Sequence, residues 1–290
     1  MDKTNKKTAK KTSPFLETLK RLKRNKMAIA GLIIIVLLGL VAIFAPWLSP
    51  YKFDQTDIKN TFAAPSWEHP FGTDELGRDI LSRIMYGGRY SLQIGIISIS
   101  TSLIVGIMVG SIAGFYGGRF DMVIMRFLDI FQSIPGLVLA IAVSATLGPG
   151  FTNCIIALAI GMVPGFARMT RASILNIRKM EYLEAATSIN ASNFRIIYRH
   201  VIPNAIAPLI VQATMAIAGA ILVAASLSFI GLGVQPPTPE WGAMLSAGRG
   251  YIRNHPHLVM FPGVTIMLAV LSLNMLGDGL RDALDPKLKD

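Results

Sequence analysis

Long apolar stretches, most of them without a single charged residue, constrain the fold of this chain more than any other feature. The first, residues 27–48, is dense in Ile, Leu and Val and carries no charge. A helix of that length crosses a hydrocarbon core of about 30 Å. Stretches of this kind predict six membrane-spanning helices, at residues 27–48, 90–118, 122–147, 151–166, 205–232 and 258–276. We therefore expect an all-α membrane protein.

The charged residues predict how the spans are oriented. Only 16% of the residues are charged and 52% are hydrophobic, which excludes a soluble domain. The segments on the N-terminal side of the predicted spans hold 21 Lys and Arg residues, against 7 on the opposite side. Because basic residues stay in the cytoplasm, both termini are predicted to be cytoplasmic. The net charge of +11 then reflects membrane topology and does not indicate binding to nucleic acid.

This topology divides the chain into consecutive segments. The predicted segments are a basic cytoplasmic tail (1–26), an N-terminal transmembrane helix (27–48), an extracytoplasmic segment (49–89), a core of five transmembrane helices (90–277) with a cytoplasmic loop (168–203), and a cytoplasmic C-terminal tail (278–290). Proline residues within or near the spans, at Pro135, Pro164 and Pro208, are expected to kink them. Residues 77–89 have one apolar face and predict a separate amphipathic helix at the outer surface.

Several kinds of chemistry are missing from the sequence. No ionisable side chain falls near the middle of a span, although proton- and sodium-coupled carriers usually need one there. The chain has no glycine-rich phosphate-binding motif, so energy for uphill transport must come from another protein. The pair His255 and His257 lacks an acidic or thiol companion, so no metal site and no catalytic residue is predicted. A secondary carrier or channel and a membrane enzyme remain alternatives.

Small residues recur at every fourth position in two of the spans. Such stripes let helix backbones approach closely, because helices in lipid associate by packing. They can pack inside the bundle or face a second membrane subunit, and the sequence does not separate these alternatives. The residues are Gly106, Gly110 and Gly114 in the second span and Ala216, Ala220 and Ala224 in the fifth.

The loop at 168–203 is polar but rich in helix-forming residues. It predicts two short helices joined at Asn190, which tolerates the left-handed conformation that ends a helix. Ser192 can cap the second of them. A helix-turn-helix that projects from a bundle in this way is suited to docking in a groove of another protein.

At this loop the chain resembles a known family. Glu184, Ala185 and Ala186, followed by Asn190 and Pro203, are similar to the EAA signature of the membrane subunits of binding-protein-dependent ABC importers. Two positions depart from the family pattern, since Asn190 stands for the usual glycine and Ile202 for the usual leucine before Pro203. The resemblance implies that the loop is a coupling helix that inserts into an ATPase subunit. Glu184 would make the polar contact, and the two alanines would permit close approach.

Further blocks narrow the resemblance to the C-type permease subunit of peptide and nickel importers. The blocks are residues 69–92, 227–242 and 278–286. Trp241, in the second block, is expected at the membrane interface. The resemblance implies a type I importer permease core with an extra N-terminal helix, in a bacterial inner membrane. It also implies a homologous second permease, two ATPase subunits that bind ATP and magnesium, and an extracytoplasmic binding protein. This chain would bind no cofactor and would carry oligopeptides or dipeptides, with nickel chelates as the alternative.

Overall fold

The computed structural model describes residues 18, 20–178, 180 and 191–284. Within these residues the chain is almost entirely helical, with one isolated antiparallel bridge between Thr73 and Asp79. The helices are α1 (Lys26–Leu48), α2 (Ile80–Tyr116), α3 (Gly118–Gln132), α4 (Gly136–Leu147), α5 (Phe151–Ile177), α6 (Asn193–Ile196), α7 (Ile202–Phe229), α8 (Trp241–Gly248) and α9 (His257–Leu284).

Five of the described helices are long and apolar enough to cross a membrane alone, and α3 with α4 can form a sixth span. This confirms the predicted class of fold. One end of the bundle, where α1 begins and where α2, α5 and α9 terminate, is called the tail end. The opposite end, covered by residues 49–79 and α8, is the cap end. That the tail end is cytoplasmic stays a prediction.

The third predicted span is not one continuous helix. Helices α3 and α4 meet at an angle of 85° across a break of three residues, Ser133 to Pro135. Proline lacks a backbone N–H and disfavours helical geometry at the residue before it, here Ile134. A proline at this position predicts a kink in the span. The structure shows a larger change, because the chain turns by 85° between the two helices.

Helix α2 also differs from the prediction, because it begins at Ile80 and runs without interruption to Tyr116. The separate surface helix predicted for residues 77–89 is wrong, since those residues are largely the first turns of this span. Asp79 caps the helix and accepts a hydrogen bond from the Ser82 N–H at 2.7 Å. Arg83 does not interrupt the helix, because its guanidinium is buried beside the Asp74 carboxylate, 3.5 Å away.

The glycine stripe of α2 lies against α5 of the same chain. A Cβ atom on Gly106 would lie 2.4 Å from the Phe166 Cβ, and one on Gly110 would lie 2.3 Å from the Ala167 carbonyl oxygen. A Cβ on Gly114 would lie 3.1 Å from the Ile174 side chain. Without side chains at these positions, the two backbones come close enough for tight packing inside the bundle.

Two other glycines hold α1 against α9. A Cβ atom on Gly31 would lie 2.6 Å from the Ser272 carbonyl oxygen, and one on Gly279 would lie 2.2 Å from the Ala28 Cβ. The alanine stripe of α7 is placed differently along its length. Ala220 and Ala224 are buried in the bundle, whereas Ala216 is only half-buried.

The cap end is fastened to the bundle by a buried carboxylate. Glu240 begins α8 and accepts hydrogen bonds from the N–H groups of Gly242 and Ala243, at 2.9 and 2.8 Å, and from the Ser91 hydroxyl, at 2.9 Å. Its neighbour Trp241 is 1% exposed and donates from Nε1 to the Ile84 carbonyl at 3.0 Å. The expectation that Trp241 lies at the membrane interface is therefore wrong. This indole finds its hydrogen-bond partner inside the protein.

Replacing Gly110 by alanine should destabilise the bundle, because the new Cβ would collide with the Ala167 backbone carbonyl. We expect a loss of about 1–3 kcal/mol, typical of overpacking. The matched change is Gly161→Ala in α5, where a Cβ would meet nothing within 4 Å. Thermal denaturation of the detergent-solubilised protein, followed by size-exclusion chromatography, measures both. Equal melting temperatures for the two variants would contradict the packing described here.

Replacing Glu240 by alanine should loosen the cap end, because the N–H groups of Gly242 and Ala243 and the Ser91 hydroxyl would lose their shared acceptor. Each buried donor left without a partner costs about 1–3 kcal/mol. We expect faster proteolysis of residues 49–79 and 230–256 in Glu240→Ala than in the parent chain. Glu240→Gln, which keeps one acceptor oxygen, should be intermediate. Identical digestion of all three chains would show that the carboxylate does not hold the cap.

Candidate functional site

The residues predicted to contact an ATPase belong to the tail end of the bundle. Glu184, Ala185, Ala186 and Asn190 lie outside the described residues, and so does the predicted helix that contains the first three. The chain on either side of them is described. It shows how the loop is attached.

The chain after the loop re-enters the bundle through a capped helix. The Ser192 hydroxyl accepts a hydrogen bond from the Arg195 N–H at 3.4 Å and caps α6, as its sequence position predicts. One π turn, Ile197–Val201, follows and leads directly into α7. Pro203 is the second residue of α7 and lies just after this π turn. The stretch Asn193–Phe229 forms 37 consecutive helical residues.

A hydrophobic cluster joins the two attachment points of the loop. Five of its side chains are buried, and Phe115 of α2 packs against them. The buried residues are Ile174 and Ile177 at the end of α5, Ile196 of α6, and Val201 and Ala205 at the start of α7. The cluster therefore connects the end of α5 to the start of α7.

Two aromatic side chains beside this cluster point away from the bundle. Phe194 is 79% exposed and Tyr198 is 70% exposed, and their rings lie parallel with centroids 6.2 Å apart. Large apolar side chains exposed next to one another are typical of a surface that another protein covers. Both residues belong to the loop predicted to dock in a groove of another protein, and their spacing of four positions places them on one face of a helix.

Two ion pairs hold α3 against α5 at the same end. Arg168 donates to the Asp129 carboxylate at 2.7 Å, and Arg171 donates to the Asp121 carboxylate. Most of α3 is exposed, with Leu128 as its one buried residue. The two ion pairs add polar contacts to the limited apolar packing between α3 and α5.

The cap end carries a compact polar network. The Asp74 carboxylate accepts a hydrogen bond from Arg78 Nε at 2.7 Å, and His69 Nδ1 lies 3.0 Å from the Asp79 carboxylate. Burial and the nearby carboxylates of Glu68, Asp79 and Asp57 raise the pKa of Tyr51. These contacts fold residues 49–79 into a fixed surface. Trp67 on this surface is fully exposed.

The histidine pair of the cap end takes part in packing. The His255 ring stacks on Phe62 with centroids 4.5 Å apart, and His257 lies against Gly72. Across the part of the chain that the structure describes, no group of three or more His, Cys, Asp or Glu side chains is arranged to hold a metal ion.

A groove in the middle of the bundle lies between α5 and α7. Its volume is about 270 Å³, and its walls are formed by Met162, Gly165, Phe166 and Met169 of α5 and by Gln212 and Ala216 of α7. Gln212 is exposed and is the polar side chain of the groove. The alanine stripe predicts that Ala216 packs against another helix. The structure places Ala216 at the opening of this groove.

Comparisons with known proteins agree with this architecture. Residues 106–290 match the family model of the binding-protein-dependent transport system inner membrane component. Residues 13–65 match the N-terminal TM domain of oligopeptide transport permease C. The permease of the MetNI methionine ABC transporter has the same fold, with a TM-score of 0.55 and 20% identity over 70% of this chain and 97% of that one.

Full-length relatives are much closer in sequence. The dipeptide transport system permease protein DppC of Alkalihalophilus pseudofirmus is 51% identical over 96% of this chain and 91% of its own length. The di/tripeptide transport system permease protein DppC of Pseudomonas aeruginosa is 47% identical over 96% of this chain and 94% of its own length. The glutathione transport system permease protein GsiD of Escherichia coli is 46% identical over 96% of this chain and 92% of its own length. The chain therefore belongs to the family of binding-protein-dependent transport system inner membrane components, the permeases of ABC importers.

Proposed function

We propose that the chain is one of two permease subunits of an importer that carries short peptides across the inner membrane. The similarity to a dipeptide permease, 51% identity over 96% of this chain, carries this proposal. A second relative is named for dipeptides and tripeptides and a third for glutathione, which is itself a tripeptide. The predicted spans also support this proposal, because none carries an ionisable side chain near its middle. A transport pathway without fixed charges suits peptides of varied sequence.

The proposed importer contains a homologous second permease, two ATPase subunits and an extracytoplasmic binding protein. ATP and magnesium are held by the ATPase subunits, and this chain binds no cofactor. The binding protein docks on the cap end. The folded surface of residues 49–79, with the exposed Trp67, supports this assignment.

Coupling to ATP takes place at the tail end, which we assign to the cytoplasm. The loop with Glu184, Ala185 and Ala186 docks in an ATPase subunit, and the exposed rings of Phe194 and Tyr198 extend the contact surface. When the ATPases close, they move this loop. The cluster around Ile174 and Val201 passes the movement to α5 and α7, because both helices end in it.

The cycle is then a population shift between two arrangements of the bundle. ATP favours one arrangement because the closed ATPases bind it better, and hydrolysis removes that preference. The π turn at Ile197–Val201 supplies a joint between the docked surface and the span, since such turns are irregular points in otherwise continuous helices.

Coupling is tested with the complete importer in proteoliposomes that contain ATP. We expect Phe194→Ala with Tyr198→Ala to lower peptide uptake and peptide-stimulated ATP hydrolysis together by about ten-fold, because interface aromatics often contribute 2 kcal/mol or more. Glu184→Arg should abolish both. The matched control is Trp47→Ala, which removes a 78% exposed ring at the opposite end of α1 and should leave both rates unchanged. Normal rates in the double variant would contradict the proposed contact.

The cargo is tested with the same proteoliposomes. We expect ATP-dependent uptake of radiolabelled dialanine or trialanine when the binding protein is present, and no uptake of nickel. Uptake of nickel without uptake of peptide would overturn the peptide assignment. Peptide transport that continues after the ATPase subunits are removed would instead identify a self-sufficient carrier.

A further inference from the structure

The groove between α5 and α7 contains a polar side chain at membrane depth. Gln212 is the eleventh residue of α7, about 15 Å along the helix from Ile202. Counted from Ala205, where the sequence places the start of this span, Gln212 lies about 10 Å inside a hydrocarbon core about 30 Å thick. Gln212 makes no hydrogen bond with any described residue, although its amide offers two donors and an acceptor.

Other polar side chains of α7 are satisfied inside the helix. The Thr214 hydroxyl donates to the Ile210 carbonyl at 3.0 Å, and the Ser226 hydroxyl donates to the Leu222 carbonyl at 2.9 Å. Gln212 therefore differs from Thr214 and Ser226, because its side chain makes no hydrogen bond with a described residue. The groove must present this side chain to water, cargo or another subunit, because acyl chains offer no hydrogen bonds.

The surroundings of Gln212 leave room for such a partner. Gly165 on the facing wall has nothing within 4 Å of the place where a Cβ would stand. The volume of about 270 Å³ is close to the lower end of known small-molecule sites, about 300 Å³. The groove therefore fits part of a small ligand, and a second subunit can complete the enclosure.

The chemistry of the walls indicates what this ligand is. A neighbouring helix has its backbone hydrogen bonds satisfied internally, whereas an extended peptide carries free N–H and C=O groups along its length. A glutamine amide can exchange two hydrogen bonds with the N–H and C=O of one residue in an extended peptide, because these two groups point to the same side of the chain. Met162 and Met169 are flexible and polarizable, so they adapt to side chains of different shape.

We propose that this groove is the subunit's binding site for the backbone of the peptide in transit, with Gln212 binding the N–H and C=O groups of one peptide residue. The inference rests on the proposed function and adds a site within the membrane. A site that recognises only the backbone accepts peptides of many sequences. The flexible side chains of Met162 and Met169 accommodate peptide side chains of different shape.

The first experiment replaces the amide by a side chain of similar shape that forms no such hydrogen bonds. In proteoliposomes with the complete importer, we expect Gln212→Met to lower the maximal rate of trialanine uptake by about five-fold to thirty-fold, because each of the two lost hydrogen bonds contributes about five-fold at ordinary strength. ATP hydrolysis should continue. The matched control is Thr214→Val, which removes a polar group of the same helix that already has a partner, and its uptake should equal that of the parent importer.

Other results of this experiment would overturn the site. Uptake by Gln212→Met at the parental rate would show that no peptide contacts the amide. If Gln212→Met separated the two permease subunits during size-exclusion chromatography, the amide would be a contact between subunits and the proposal would fail. An unmutated importer that carries no peptide would instead refute the proposed function, so the two failures are distinguishable.

The second experiment asks directly whether peptide occupies the groove. The sole cysteine, Cys154, is buried, so the parent chain serves as the blank. We expect Gly165→Cys to react with a charged, water-soluble methanethiosulfonate during turnover, and trialanine to slow the reaction. Ile210→Cys, at similar depth on the opposite face of α7, should stay unreactive. A Gly165→Cys that does not react, or that reacts equally fast with trialanine present, would overturn the proposal.

Discussion

Close approach between helix backbones is the interaction on which the rest of this bundle depends. In lipid, apolar side chains gain little by leaving the bilayer, so helices associate where their surfaces fit. Gly106 and Gly110 bring α2 within contact of the α5 backbone, and Gly31 and Gly279 do the same for α1 and α9. The Ser102 hydroxyl strengthens the first contact by donating to the Ala159 carbonyl at 3.0 Å. The remaining elements are arranged around these two interfaces.

The apolar runs predicted the spanning elements well, because length and absence of charge are nearly sufficient to specify a membrane helix. They failed where a tertiary contact decided the outcome. The start of α2 was placed too late because the uncharged run begins only after Arg89, whereas the helix begins at Ile80 and the fold pairs its Arg83 with Asp74. Trp241 was placed at the interface because a partner for its indole inside the bundle, the Ile84 carbonyl, cannot be inferred from sequence.

The candidate sites were predictable to different degrees. The coupling loop was found by its resemblance to a family, and Ser192 as a cap follows from local chemistry. The groove was missed because its walls come from two helices, and nothing in the sequence pairs Gly165 with Gln212. A signal was present nonetheless: Gln212 is a lone amide in a long apolar run, and such a residue needs a hydrogen-bond partner.

The unbroken helical path from Asn193 to Phe229 has a mechanical consequence. Its 37 residues extend about 55 Å, and they carry the exposed aromatic pair near one end and Gln212 near the middle. A rod of this kind acts as a lever: in the proposed function, a tilt imposed at the tail end, where the aromatic pair lies, would change the orientation of Gln212. In the proposed function, the timing of cargo release would then depend on the stiffness of this helix and on the π turn within it.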